Sequence, residues 1–85
     1  MDNPKTLKLP ELQAGQQAKI IQVEGDDSLA QRLCDMGIWP KVTIGLIRKA
    51  PLGDPAEYSL HGYRLALRRE EAVRVSVRLT GAQEE

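Results

Sequence analysis

Side chains able to act as nucleophiles, proton carriers or soft metal ligands near neutral pH are scarce in this chain: there is one histidine, His61, and one cysteine, Cys34. A catalytic acid or base needs an orienting partner, and a metal centre needs several donors at recognisable spacing. His61 precedes Gly62 and reads as a turn residue with its ring in water. Cys34 falls on an apolar helical stripe, where a thiol is most simply a small core residue. Glu24, Asp26 and Asp27 could hold a hard cation, but they read more simply as a solvated cluster at the entry of a helix. No glycine-rich phosphate loop is present in either the Walker or the dinucleotide form. The expectation is a protein that is not an enzyme, with no catalytic residue, no cofactor and no metal site.

Two other groups of residues are candidates for binding. Arg48, Lys49, Arg64, Arg68, Arg69, Arg74 and Arg78 form a basic cluster in the second half of the chain. It reads as the solvated outer face of the fold or as a docking surface for an acidic protein or a phosphate backbone. Met36, Trp39 and Leu52 flank turns, and Trp39 next to Pro40 is hard to bury completely in so small a domain. Such residues are either a satellite cluster under a loop or an interaction patch, for which Trp39 is a suitable anchor.

Length and composition limit what can position these groups. Eighty-five residues make one small domain, and Phe is absent, so the core must be mainly Leu, Ile and Val. Twelve basic residues balance twelve acidic ones, which argues against a general polyanion binder. The balance is uneven, since residues 41–78 hold eight Lys/Arg against four Asp/Glu. A single cysteine forbids an intrachain disulfide. With no apolar run of membrane-spanning length and no signal-peptide pattern, a cytoplasmic protein without direct membrane insertion is expected.

Along the chain, residues 1–6 and 80–85 read as frayed tails around a core of about 7–79. Leu7 and Leu9 form a brief apolar anchor, and Gln17 to Glu24 is a strand whose alternation slips between Ile20 and Ile21, predicting a bulge. A short helix follows. Ser28 and Gln31 have capping-box spacing, Leu29, Leu33 and Met36 make its apolar stripe, and Gly37 with Ile38 supplies a Schellman ending. Val42 to Lys49 is the next strand. Two prolines then bracket Gly53 and Asp54 in Ala50-Pro51-Leu52-Gly53-Asp54-Pro55, a stiff loop. Glu57 to Leu60 and Tyr63 to Leu67 flank His61-Gly62 as a hairpin, with Tyr63 and Leu65 alternating to the inward side. That orientation removes an aromatic stacking residue and lowers the case for nucleic acid. Arg69 to Ala72 is a single helical turn, and Val73 to Leu79 is the last strand. Five short strands at regular spacing and one short helix predict a small, partly open β-barrel.

Leu9-Pro10-Glu11-Leu12 with Gly15, then Gln31-Arg32-Leu33, Met36-Gly37-Ile38-Trp39-Pro40, Ala50-Pro51-Leu52-Gly53-Asp54-Pro55 and Leu65-Ala66-Leu67-Arg68, in that order, resemble the FeoA (ferrous iron transport protein A) family over residues 7–78. The resemblance implies an SH3-like barrel and a small cytoplasmic accessory protein of bacterial ferrous iron uptake that docks on the membrane GTPase transporter. It also brings transition-metal binding, for which this sequence offers no ligand set, so iron is expected as the transported species only. Lys41 stands where the family usually has Gly after the Pro, which puts the turn before the next strand in question. The combined expectation is a binding module. Its partner surface is a cleft between the helix C-terminus and the Pro51–Pro55 loop, with Met36, Trp39 and Leu52 as anchors and Arg48, Lys49 and Arg68 steering an acidic partner. The alternatives are a nucleic-acid-binding or metal-responsive barrel, and an exposed Trp39 patch also leaves self-association open.

Overall fold

The computed structural model describes residues 6–80. Its strands are β1 (Thr6–Lys8), β2 (Gln17–Val23), β3 (Thr43–Lys49), β4 (Ala56–Leu60), β5 (Tyr63–Leu67) and β6 (Val75–Leu79), with helix α1 (Ser28–Asp35) between β2 and β3 and the one-turn α2 (Arg69–Ala72) between β5 and β6. All ladders are antiparallel, in the order β1-β6-β2-β3-β4-β5, which leaves β1 and β5 at the edges of the sheet. Six strands are present where five were expected. The additional one, β1, carries the Leu7 anchor and pairs Thr6 with Arg78, a contact across the whole domain that local periodicity does not reveal. Thr6 and Thr80, expected in the tails, belong to the fold: Thr6 opens β1, and the Thr80 N–H bonds the Gln17 carbonyl at 3.1 Å. The remainder of the expected frayed ends lies outside the described residues.

The predicted slip in β2 is a register shift between Ile20 and Gln22 against β6. A second shift, between Leu46 and Arg48 on β3, bends that strand against β4, and such bulges increase the twist that lets so small a sheet curl. The enclosed core is aliphatic: Leu9, Leu12, Leu33, Ile38, Ile44, Val75 and Val77 are fully buried. Tyr58 is the aromatic among them, and burial pushes its phenol up to about 12, with Arg69 opposing the shift and Asp54 adding to it.

Helix α1 begins one residue earlier than the capping-box reading. Its N-cap is Asp27, whose carboxylate accepts the Ala30 N–H at 3.3 Å, and Ser28 is the first helical residue. The C-terminus is the expected Schellman motif: the Ile38 N–H reaches the Leu33 carbonyl at 3.1 Å and the Gly37 N–H the Cys34 carbonyl at 2.9 Å. The turn into β3 forms despite Lys41, which adopts φ +77° and donates its N–H to the Ile20 carbonyl at 2.7 Å. A side chain in this left-handed region costs about 1–2 kcal/mol, part of which the entropy of glycine in the unfolded chain would offset. Lys41→Gly is therefore expected to raise stability by about 0.5–1 kcal/mol, read as a higher urea midpoint with an unchanged slope; a lower midpoint would show that the lysine makes a compensating contact.

Candidate partner-binding surface

At one end of the barrel, three aromatic side chains close the C-terminus of α1. The indole Nε1–H of Trp39 donates to the Cys34 carbonyl at 2.8 Å, the Tyr63 hydroxyl donates to the Met36 carbonyl at 2.5 Å, and His61 Nε2 lies 3.3 Å from the Gly37 carbonyl. The His61 ring sits edge-on to Trp39, centroids 6.0 Å apart, and stacks on Tyr63 at 6.3 Å. Hairpin geometry delivers two of the rings: His61 and Gly62 both have positive φ, 54° and 84°, as a two-residue type I′ turn requires. Gly37 leaves room for them, since a Cβ there would meet His61 at 3.1 Å and the Tyr63 hydroxyl at 3.3 Å. Trp39 is 51% exposed and Tyr63 46% exposed, so the cluster is a fixed aromatic platform. One reading changes here and one is extended. Tyr63 does not point into the core, and His61, exposed at a turn as expected, also packs its ring against Trp39 and Tyr63. The outward Tyr63 removes one of the grounds against nucleic acid; the zero net charge remains.

The Pro51–Pro55 loop lies at the opposite end. Ile44 pairs with Leu60 beside the His61–Gly62 turn, whereas Lys49 pairs with Ala56 beside the loop, about 17 Å further along the strand. The expected cleft is therefore not assembled. Met36 and Trp39 belong to the aromatic end, with Met36 half-buried against the core. Leu52, Arg48, Lys49 and Arg68 belong to the loop end, where Leu52 is 96% exposed. The loop is tied by hydrogen bonds: Gly53 N–H bonds the Ala50 carbonyl at 2.7 Å, Ala50 N–H the Pro55 carbonyl at 2.9 Å, and the Asp54 carboxylate accepts the Arg69 N–H at 2.9 Å. Arg48 pairs with Glu57 at 3.2 Å, and the Lys49 ammonium reaches the Pro10 carbonyl at 3.1 Å.

Two members of the acidic cluster at the helix entry, Asp27 and Glu24, are engaged in the fold. Arg74 holds Asp27 through both guanidinium nitrogens at 2.9 and 2.8 Å, and Glu24 pairs with Lys8. The Arg74 hydrogen bonds, with the Ala30 N–H, hold the Asp27 carboxyl well below the usual carboxylate range. Among the described residues no group of three or more His, Cys, Asp or Glu is placed to hold a metal ion, and no helix is long and apolar enough to cross a membrane.

A curled six-stranded antiparallel sheet with one short helix across it defines a small SH3-like barrel. Residues 7–79 match the FeoA domain, and the chain belongs to that family. It is 40% identical over 73 residues to a Porphyromonas gingivalis Fe(2+) transport protein A/Fe(2+) transporter FeoB fusion protein, matching 86% of this chain and 9% of that protein; it thus spans about a tenth of that relative's length. Among solved structures, FeoA from Chlorobium tepidum superposes with a TM-score of 0.82 at 36% identity, covering 92% of this chain and 74% of that one. FeoA from Stenotrophomonas maltophilia, solved in complex with zinc and described as a prokaryotic SH3 domain protein, superposes with a TM-score of 0.74 at 31% identity, covering 84% and 88%.

Tyr63→Phe removes one donor from the helix terminus and is expected to cost about 1 kcal/mol; an unchanged denaturation midpoint would mean that water replaces the hydroxyl without loss. Asp27 stabilises the fold while ionised. Its contribution is complete above the ordinary carboxylate pKa of about 4 and is lost as the pH falls below that value. Asp27→Asn keeps a capping side chain but loses the charge, so the difference in stability between wild type and variant should be constant near neutral pH and shrink in acid. Parallel curves down to pH 2 would show that the ion pair contributes nothing.

Proposed function

We propose that this protein is a non-enzymatic, cytoplasmic accessory module of ferrous iron uptake that docks on a FeoB-like membrane GTPase transporter. The observation that carries this reading is the relative in which a matching segment is joined to FeoB in one chain, an arrangement that keeps the two parts within reach of each other. Iron is the transported species in this reading. The docking face is the aromatic platform. Trp39 is both half-exposed and held by a hydrogen bond, so little side-chain freedom is lost when a partner covers it. Arg48, Lys49, Leu52 and Arg68, gathered at the loop end, would meet a separate part of the partner or steer its approach.

The test is capture of the detergent-solubilised transporter by the immobilised full chain, with and without GTP. Trp39→Asp is expected to abolish capture, whereas Trp39→Phe, which keeps the apolar ring, is expected to retain most of it. Both variants must show the native far-ultraviolet circular dichroism. Equal capture by wild type and Trp39→Asp would remove the platform from the interface, and no capture by the folded wild type would remove the transporter as the partner.

A further inference from the structure

The sheet ends on β5, which is hydrogen-bonded on one side only, to β4. A type I′ turn closes both hydrogen bonds between its flanking residues, here Leu60 and Tyr63. Along an antiparallel ladder such pairs recur at every second residue, so Leu65 opposite Tyr58 and Leu67 opposite Ala56 are bonded in the same way. The N–H and C=O groups of Arg64 and Ala66 therefore point away from β4. Neither residue enters a turn, loop or cap hydrogen bond among the described residues.

Exposed edges are usually blunted by proline, by a bulge, by shortness or by a covering element. The other edge, β1, has three residues. β5 has five, contains no proline and runs in unbroken register. Its protection is positive charge. Arg64 and Arg68 flank the exposed Ala66 on the outer face, with Arg69 following. None of the three guanidinium groups forms an ion pair among the described residues, whereas the side chains of Lys8, Arg32, Arg48 and Arg74 each do; the carboxylates of Glu71 and Asp54 bond the backbone N–H groups of Arg68 and Arg69 instead. Beside Ala66 lies a groove of about 240 Å³ formed with Pro51 and Pro55, with Arg48 and Lys49 on its rim. Its carboxylate, Glu57, is engaged by Arg48. A second copy laid along this edge would bring arginines onto one face, which is unfavourable; an acidic chain would be attracted.

We infer that β5 receives an extended acidic segment of a partner protein as a seventh strand, bonded to the free backbone groups of Arg64 and Ala66. The segment alternates, with carboxylates towards Arg64 and Arg68 and apolar side chains towards Tyr63 and Leu65. The inference rests on the docking reading only for the partner's identity, and it supplies the mode of contact.

The probe is a soluble peptide of about ten alternating Glu and Val residues, with a Lys–Val counterpart as control, added to the isotopically labelled full chain. Amide hydrogen exchange at Arg64 and Ala66 is expected to slow at least about tenfold with the acidic peptide, and not with the basic one. The double variant Arg64→Glu/Arg68→Glu should reverse this preference, and Ala66→Pro, which removes an outward N–H, should abolish protection. If the proline variant does not fold, the charge-reversed variant carries the test. The inference is overturned by peptide protection confined to residues outside β5, by no protection at saturating peptide, or by protection that appears without peptide as protein concentration rises, which would assign the edge to a second copy. Peptide protection without transporter capture would uphold the strand site and discard the transporter. Undiminished transporter capture by the charge-reversed variant would discard the strand site and keep the docking.

Discussion

The C-terminus of α1 is the junction on which both the fold and its exposed surface depend. Eight residues are too few to be helical in isolation, and the last carbonyls of any helix lack partners within it. Here the Schellman N–H groups of Gly37 and Ile38 take the Cys34 and Leu33 carbonyls, Trp39 also donates to Cys34, and from the β4–β5 turn Tyr63 donates to the C-cap Met36 carbonyl while His61 lies beside that of Gly37. The last two connect residues 27 and 24 positions apart, so the helix end and the hairpin tip hold each other in place. The exposure of Trp39 and Tyr63 follows directly. A ring whose polar edge must reach a helix terminus cannot also be driven into the core, so one face stays in water. The apolar platform is thus a consequence of capping, available for recognition without a separate structural device.

Local chemistry was legible in the sequence, and geometry that depends on where an element ends was not. The Schellman ending, the β2 bulge and the His61–Gly62 turn each lie within a few residues and came out as read. Tyr63 shows the limit. Parity places it on the same side as Leu65, but that side ceases to be interior where the barrel ends and the α1 terminus begins. The N-cap was misplaced by one residue because Asp27 and Ser28 are both good caps. What distinguishes them is Arg74, 47 residues away, which holds the Asp27 carboxylate over the first turn. Likewise β1 is only three residues long and gains its identity from β6, at the far end of the chain.

Grouping Met36 and Trp39 with Leu52 failed for a related reason. Each flanks a turn, and turns tend to carry binding residues, but consecutive turns of an antiparallel meander fall at opposite ends of its strands. Trp39 enters β3 and Leu52 leaves it, so the full length of that strand must separate them. The charged members fared better. Lys49 is opposite Ala56, and Ala56 is opposite Leu67, which brings Lys49 and Arg68 to the same end through two registers that the hairpin spacing already implied. The family motif spans both ends without marking the separation, since it records order along the chain.

The zero net charge conceals a division of labour between the two halves of the barrel. Ion pairs run from Lys8 to Glu24, from Arg74 to Asp27 and from Arg32 to Glu71, linking β1, the α1 entry, α2 and the start of β6. Each is solvent-exposed to some degree, and such pairs contribute little individually, so their sum is a modest part of stability. Their larger effect is on what remains. With those acids engaged on one side and Glu57 held by Arg48, the guanidinium groups of Arg64, Arg68 and Arg69 form no ion pair among the described residues, and the nearby carboxylates of Glu71 and Asp54 are taken by backbone N–H groups. An uncapped strand is a hazard because any extended chain can pair with its backbone, and backbone pairing alone cannot choose between chains. Positive charge along that edge disfavours a second copy or a basic segment and favours an acidic one, so the device that protects β5 from indiscriminate pairing is also the one that would select its partner.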